Sequence, residues 1–178
     1  MSKYQKMSCS LIGFLTAAAF STEVSFQGDG YLELSNSLLP HKSAEEREEI
    51  SIEFSTTEPN GLIFWHGQTP DTDGKTQDYV ALAVVDGVLE YSYELGSGPA
   101  QIRPNVRVDD GKRHHVVLKR EASDGTIKID NTMEFGESQG ILKMLNTRGN
   151  IYIGECRPLW SRGNVLASRS KVRRLKSD

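Results

Sequence analysis

Residues 77–96, QDYVALAVVDGVLEYSYELG, decide the fold class. Two apolar runs flank Asp86-Gly87, and glycine accepts the positive φ that a two-residue primed turn needs, so the stretch reads as a β-hairpin. The same rhythm continues in both directions. Short alternating runs occur at 24–26, 30–34, 49–54, 61–66, 79–85, 88–95, 114–120, 126–129 and 150–154, with further turns at Asp110-Gly111 and Asp124-Gly125. HKSAEEREEI (41–50) has helix-like composition and reads equally as a charged loop entering a strand. Many short strands without helical crossovers predict an all-β molecule of two packed antiparallel sheets.

The chain has 178 residues, 37% of them hydrophobic, enough for the core of one domain. Its net charge of −3 does not carry the basic signature of a nucleic-acid binder, so no nucleic-acid partner is expected. At the start, Lys3 and Lys6 precede a short apolar run (11–20) and the small residues Ala17, Ala18 and Ala19. That order matches a secretory leader over residues 1–21, too short to span a bilayer, or else a first apolar segment packed on the domain. With the leader removed, the mature chain begins near Phe20 to Val24, is extracellular and has no transmembrane segment. Cys9 would then be lost and Cys156 left alone, so no internal disulfide is expected. Residues 157–178 hold seven basic side chains against one acid and lack strand alternation. The expected layout is therefore leader 1–21, domain 22–155 and basic tail 156–178.

Six segments in order, FQGDGYLEL (26–34), EISIEFSTTEPNGLIFWHG (49–67), QDYVALAVVDGVLEYSYELGSG (77–98), DDGKRHHVVLKR (109–120), GTIKIDN (125–131) and LNTRGNIYIGE (145–155), together resemble the laminin G-like family. The flavour is that of the modules in basement-membrane proteoglycans such as perlecan and agrin. The resemblance implies a jelly-roll β-sandwich acting as an extracellular, non-enzymatic binding module. Implied partners are matrix or cell-surface proteins, glycosylated receptors and heparan sulfate. Two departures stand out. Arg113 occupies the aromatic position of the family's D-G-x-W-H pattern, and GECRPLW replaces the late G-C-I segment, so the closing C-terminal strand is expected to be missing.

Calcium takes six to eight oxygens and tolerates irregular geometry, which loops at a sandwich rim can supply. The resemblance implies a calcium site with the side chains of Asp78 and Asn146 and the backbone carbonyls of Leu95 and Met144. Local sequence alone reads Asp78 and Asn146 as strand-end and turn residues. Lys75, Arg103 and Arg148 are rim candidates for anionic groups. Asp71 and Asp73 in QTPDTDGKT suggest the start of an EF-hand loop, but Leu82 stands where its twelfth-position acid belongs.

The remaining constellations are weaker. His114 and His115 are adjacent and point to opposite faces of a strand, while His41 and His66 are isolated. Glycan hydrolysis would need acids at alternate positions of one strand; Glu49 with Glu53 and Glu90 with Glu94 are the nearest pairs, with Ser51 and Ser92 between them. The tail cations Arg169, Lys171, Arg173, Arg174 and Lys176 form an alternative, calcium-independent polyanion site of the kind that takes heparan sulfate, or simply a solvated end.

Overall fold

The structure is a computed structural model and describes residues 7–13, 20–26, 30–35, 47–68 and 78–154. Twelve strands are present in these segments: β1 Met7–Gly13, β2 Phe20–Phe26, β3 Tyr31–Leu34, β4 Arg47–Ser55, β5 Gly61–Gly67, β6 Tyr79–Val85, β7 Val88–Glu94, β8 Ala100–Ile102, β9 His114–Glu121, β10 Asp124–Ile129, β11 Thr132–Glu137 and β12 Ile151–Gly154. They form two six-stranded sheets, ordered β11-β10-β9-β4-β1-β2 and β3-β12-β5-β6-β7-β8. All strand pairings are antiparallel. The all-β sandwich predicted from the alternation is the fold.

The core lies between the sheets and follows the period of two. From one sheet come Ile52, Phe54, Val116, Leu118, Ile127 and Ile129; from the other come Val80, Leu82, Val84, Leu89, Tyr91 and Tyr93. Side chains between them in sequence point outward, and β4 and β9 pair these as Arg47 with Glu121, Glu49 with Lys119 and Ser51 with His115. The hairpin of residues 77–96 is β6–β7, with Asp86 at φ 52° and Gly87 at φ 82° as required for a primed turn. It differs from a half-buried hairpin in one respect. The two strands are buried on both faces, because a second small cluster of Leu62 and Ala83 packs with Tyr31, Trp65 and Val85 on the outer side.

Arg47 to Ile50, at the end of the charged segment 41–50, belong to β4, in line with its reading as a loop entering a strand; the rest of that segment lies outside the described residues. Other expectations are corrected. The turn expected at Asp124-Gly125 sits two residues earlier, at Ala122-Ser123, since Asp124 already pairs with Glu121. Ala122 takes φ 55° there, and the Tyr93 hydroxyl donates to the Ser123 carbonyl at 2.7 Å. Gly125 serves packing instead of the turn: a Cβ on it would stand 2.6 Å from a Tyr93 ring carbon. Strands β8 and β11 were hidden in sequence by their shortness and by the outward-facing polar residues of β11. Residues 7–13, within the span read as a leader, are placed as β1 between β2 and β4. Residues 155–178, and with them the question of a closing strand, lie outside the described residues. Among the described residues no helix is long and apolar enough to cross a membrane.

Candidate functional site

The carboxylate of Asp78 stands one residue before β6, where that strand meets the end of β5. The Gly67–Tyr79 pair closes the ladder, and the Gln68 N–H donates to the Asp78 carbonyl at 3.1 Å just beyond it. A loop spanning 139–149 arrives at the same point. Its anchor is the Gly149 N–H, which donates to the Gly67 carbonyl at 2.9 Å. Thr147 Oγ1 meets His66 Nδ1 at 3.2 Å, so the histidine that looked isolated in sequence fastens this loop.

These contacts bring together residues 68 positions apart. The Asn146 backbone N–H donates to Asp78 Oδ2 at 2.7 Å and its side-chain amide donates to the same oxygen at 3.1 Å. Asp78 is buried while Asn146 is exposed. Asp78 Oδ1 receives no hydrogen bond among the described residues and faces Gly96, whose Cβ position lies 3.8 Å away. Leu142 Cδ1 approaches that Gly96 position within 3.0 Å, and Gly98 and Gly140 are covered by Gln139 and Ser97. The hairpin end carrying Leu95 is therefore packed against the loop carrying Met144 and Asn146. Of the expected calcium set, Asp78 and Asn146 are in direct contact, Leu95 precedes the Gly96 that Asp78 Oδ1 faces, and Met144 lies two residues before Asn146.

The donor chemistry can be tested against calcium. Among the described residues no group of three His, Cys, Asp or Glu could hold a metal ion, which leaves no thiolate or imidazole set for zinc. One carboxylate, one amide and neighbouring carbonyls make an all-oxygen set with a single negative charge. Calcium accepts such a set and completes its shell with water. The side chain of Asn146 presents its nitrogen to Asp78; a half-turn of the amide exchanges this for the carbonyl oxygen. Oxygen donors with one carboxylate are of the type that suits calcium, and Asp78 is the charged member.

The other candidates separate from this cluster. Arg148 is exposed two residues beyond Asn146, on the same loop. Arg103 is not at this rim: its guanidinium donates to the Val85 carbonyl at 3.2 Å and pairs with Glu90 at 3.6 Å. Val85 is seven strand residues from Asp78, a separation of about 23 Å. Lys75, Asp71, Asp73, His41, Cys156 and the tail residues Arg169, Lys171, Arg173, Arg174 and Lys176 lie outside the described residues.

The acids considered for hydrolysis have structural partners. Glu53 and Glu49 pair with Arg113 and Lys119 on the outer face of their sheet. Glu94 Oε1 accepts the N–H groups of Gly96 and Gly98, both at 2.8 Å. His114 is buried between two carboxylates, with Nδ1 at 2.9 Å from Asp130 and Nε2 at 3.1 Å from Asp110. Two residues that hold the rim loop, Gln68 and Arg120, gave no signal in sequence, and Glu94 was noticed there only as one of a pair of acids. Gln68 and Arg120 act by long-range side-chain-to-backbone hydrogen bonds, which leave no spacing pattern.

Comparison with known proteins agrees with this architecture. The family model of the laminin G domain matches residues 54–173, so the match continues past β12 into the segment set apart as a tail. The chain is 41% identical over 152 residues to the basement membrane proteoglycan of Caenorhabditis elegans, covering 85% of this chain and 4% of that protein. It is 33% identical over 148 residues to pikachurin of Rattus norvegicus, covering 83% of this chain and 14% of that one. The chain thus spans a small fraction of these relatives. Among solved structures, mouse laminin α1 domains LG4-5 superpose with a TM-score of 0.65 at 17% identity, over 88% of this chain and 38% of that one. Laminin G domains are binding modules and not enzymes. With its sandwich, rim loops and ordered sequence match in agreement, this chain belongs to the laminin G domain family.

Proposed function

We propose that the chain is an extracellular recognition module that binds calcium at Asp78 and Asn146 and, through it, an acidic or glycan oxygen of a matrix or cell-surface partner. The observation that supports this most is the direct contact of a buried carboxylate with an exposed asparagine from a distant loop, at the sheet mouth. The relatives include a basement membrane proteoglycan and pikachurin, which agrees with an extracellular setting. Export would use residues 1–21 as leader, which takes β1 out of its place between β2 and β4, and a mature N-terminus between Phe20 and Val24 is its mark.

With the ion bound, its open coordination positions attract anionic oxygens. Asp78 holds the ion, Asn146 orients toward it, and Arg148 lies on the same loop to meet a further anionic group of the partner. Lys75 is assigned the same role. One carboxylate gives a dissociation constant on the order of 10⁻⁴–10⁻³ M, the range of extracellular calcium modules.

A second reading rests on the seven cations of residues 157–178: heparan sulfate held by Arg169, Lys171, Arg173, Arg174 and Lys176 without calcium. One experiment separates the two. Retention on heparin is measured in calcium and in chelator, for the wild type, for Asp78→Ala and for Lys171, Arg173 and Arg174 changed together to Ser. Rim recognition predicts loss in chelator and in Asp78→Ala only. Loss confined to the triple variant, unaffected by chelator, supports the tail and contradicts the rim.

A further inference from the structure

The two backbone segments expected to supply calcium carbonyls are each held by side chains that do not hydrogen-bond the Asp78 carboxylate. On the 139–149 loop, Arg120 Nη1 donates to the Lys143 carbonyl at 3.0 Å. Three residues on, Gln68 Nε2 donates to the Asn146 carbonyl at 2.6 Å. These two contacts bracket Met144. At the hairpin end, Glu94 Oε1 grips the N–H groups of Gly96 and Gly98 and so fixes the peptide that follows Leu95. The three clamps come from three different strand ends, β5, β7 and β9, and converge on one rim.

Their burial argues for a positioning task. The Arg120 side chain is 0% exposed, an unusual place for a guanidinium unless every direction of its fork is used. Nε faces Glu48 at 3.3 Å, while Nη1 spans the Ala122 carbonyl at 2.8 Å and the Lys143 carbonyl. The planar fork thus ties the β9–β10 turn to the rim loop, a geometry that an ammonium does not reproduce. Glu94 is likewise buried, although it stands on the outer face of its sheet.

We propose that Gln68, Glu94 and Arg120 are positioning residues that set calcium affinity by holding the Leu95 and Met144 segments in their bound arrangement before the ion arrives. The proposal rests on the calcium reading above. A site with one carboxylate depends on carbonyls that are already in place, because otherwise each binding event must order two loops. Supporting groups behind metal ligands typically matter 10–100-fold for affinity.

The test is calcium titration of the full chain by calorimetry, for the wild type, Gln68→Met, Glu94→Ala, Glu94→Gln and Arg120→Lys, beside melts in chelator. Gln68 is only half-buried, so Gln68→Met keeps the fold while removing the donor. The expected result is about tenfold weaker calcium binding in Gln68→Met and Glu94→Ala. In chelator Gln68→Met should melt close to the wild type and Glu94→Ala lower, since two N–H groups lose their acceptor, and Glu94→Gln, which retains an acceptor oxygen, should restore affinity. In chelator, amide exchange from Lys143 to Asn146 should also be faster in Gln68→Met. Wild-type binding with an unchanged constant in Gln68→Met and Glu94→Ala overturns the positioning role and leaves the calcium reading standing. A wild type that takes no calcium at 10 mM overturns both.

Discussion

Asp78 on the one hand, and Asp110 and Asp130 around His114 on the other, show how one residue type, a carboxylate, serves two ends. At Asp78 the acid accepts two hydrogen bonds on one oxygen and keeps the other open toward Gly96. Around His114 the acids are spent on structure. Asp110 is held well below the usual carboxylate range first by the Lys112 side chain, then by the Lys112 N–H and His114. At Asp130 burial opposes the shift, and the hydrogen bonds from His114 and from the His115 N–H outweigh it, so the group is lowered. A carboxyl whose pKa falls on folding stabilises above its unfolded value and loses that contribution as pH falls through its folded value. Stability should therefore hold from neutral pH down to about 4 and decline below. Urea midpoints between pH 7 and pH 2.5 check this. Asp130→Asn should be less stable at pH 7 and show a flatter decline in acid, whereas an equally steep decline would contradict the assignment. Asp78 and Asn146 were legible only through the family resemblance, since two isolated polar residues at strand ends do not specify a metal. His66 and Gln68 were not legible, because their partners are 78 to 81 residues away.

At the scale of strands, period-two alternation found β4 to β7 and β9 and missed β8 and β11, while β1, seven residues long between β2 and β4, fell in the span read as a leader. β6 and β7 combine a clean turn with apolar residues on both faces, and they were placed correctly. β8 has three residues, too few to show a period, and β11 exposes Met133 and Phe135 instead of burying one face. The misplaced turn before β10 has the same origin: glycine was read as a turn former, whereas Gly125 is required because the Tyr93 ring lies against it. That ring is buried, its hydroxyl anchors the Ser123 carbonyl, and burial pushes its pKa up to about 12. Gly125→Ala should cost about 1–3 kcal/mol by overpacking. The measurement is the denaturation midpoint, and a neutral effect would show that Tyr93 can move aside. A companion Tyr93→Phe variant reports the hydroxyl separately, at roughly 0.5–1.5 kcal/mol.

For the molecule as a whole, the sandwich explains why a rim is the natural place for recognition. Both sheets spend their inner faces on the core, and β4 and β9 spend much of their outer face on cross-strand ion pairs. Loops at the strand ends remain, and antiparallel topology delivers the ends of β5, β6, β7 and β9 to one mouth. The fold class was readable from the hairpin outward because its turn is clean and strands such as β4, β9 and β10 repeat a period-two alternation. The clamps were not, since they depend on which strand ends become neighbours in space. The most direct test of the rim account is the melting temperature of the full chain in 5 mM calcium and in chelator, beside Asp78→Ala. At about tenfold excess over its dissociation constant, a ligand specific to the folded state adds about 1.4 kcal/mol, or roughly 3–6 °C for a domain of this size. Such a rise in the wild type, absent in Asp78→Ala, is the predicted result. A cooperative melt of the wild type at the same temperature in calcium and chelator would contradict it.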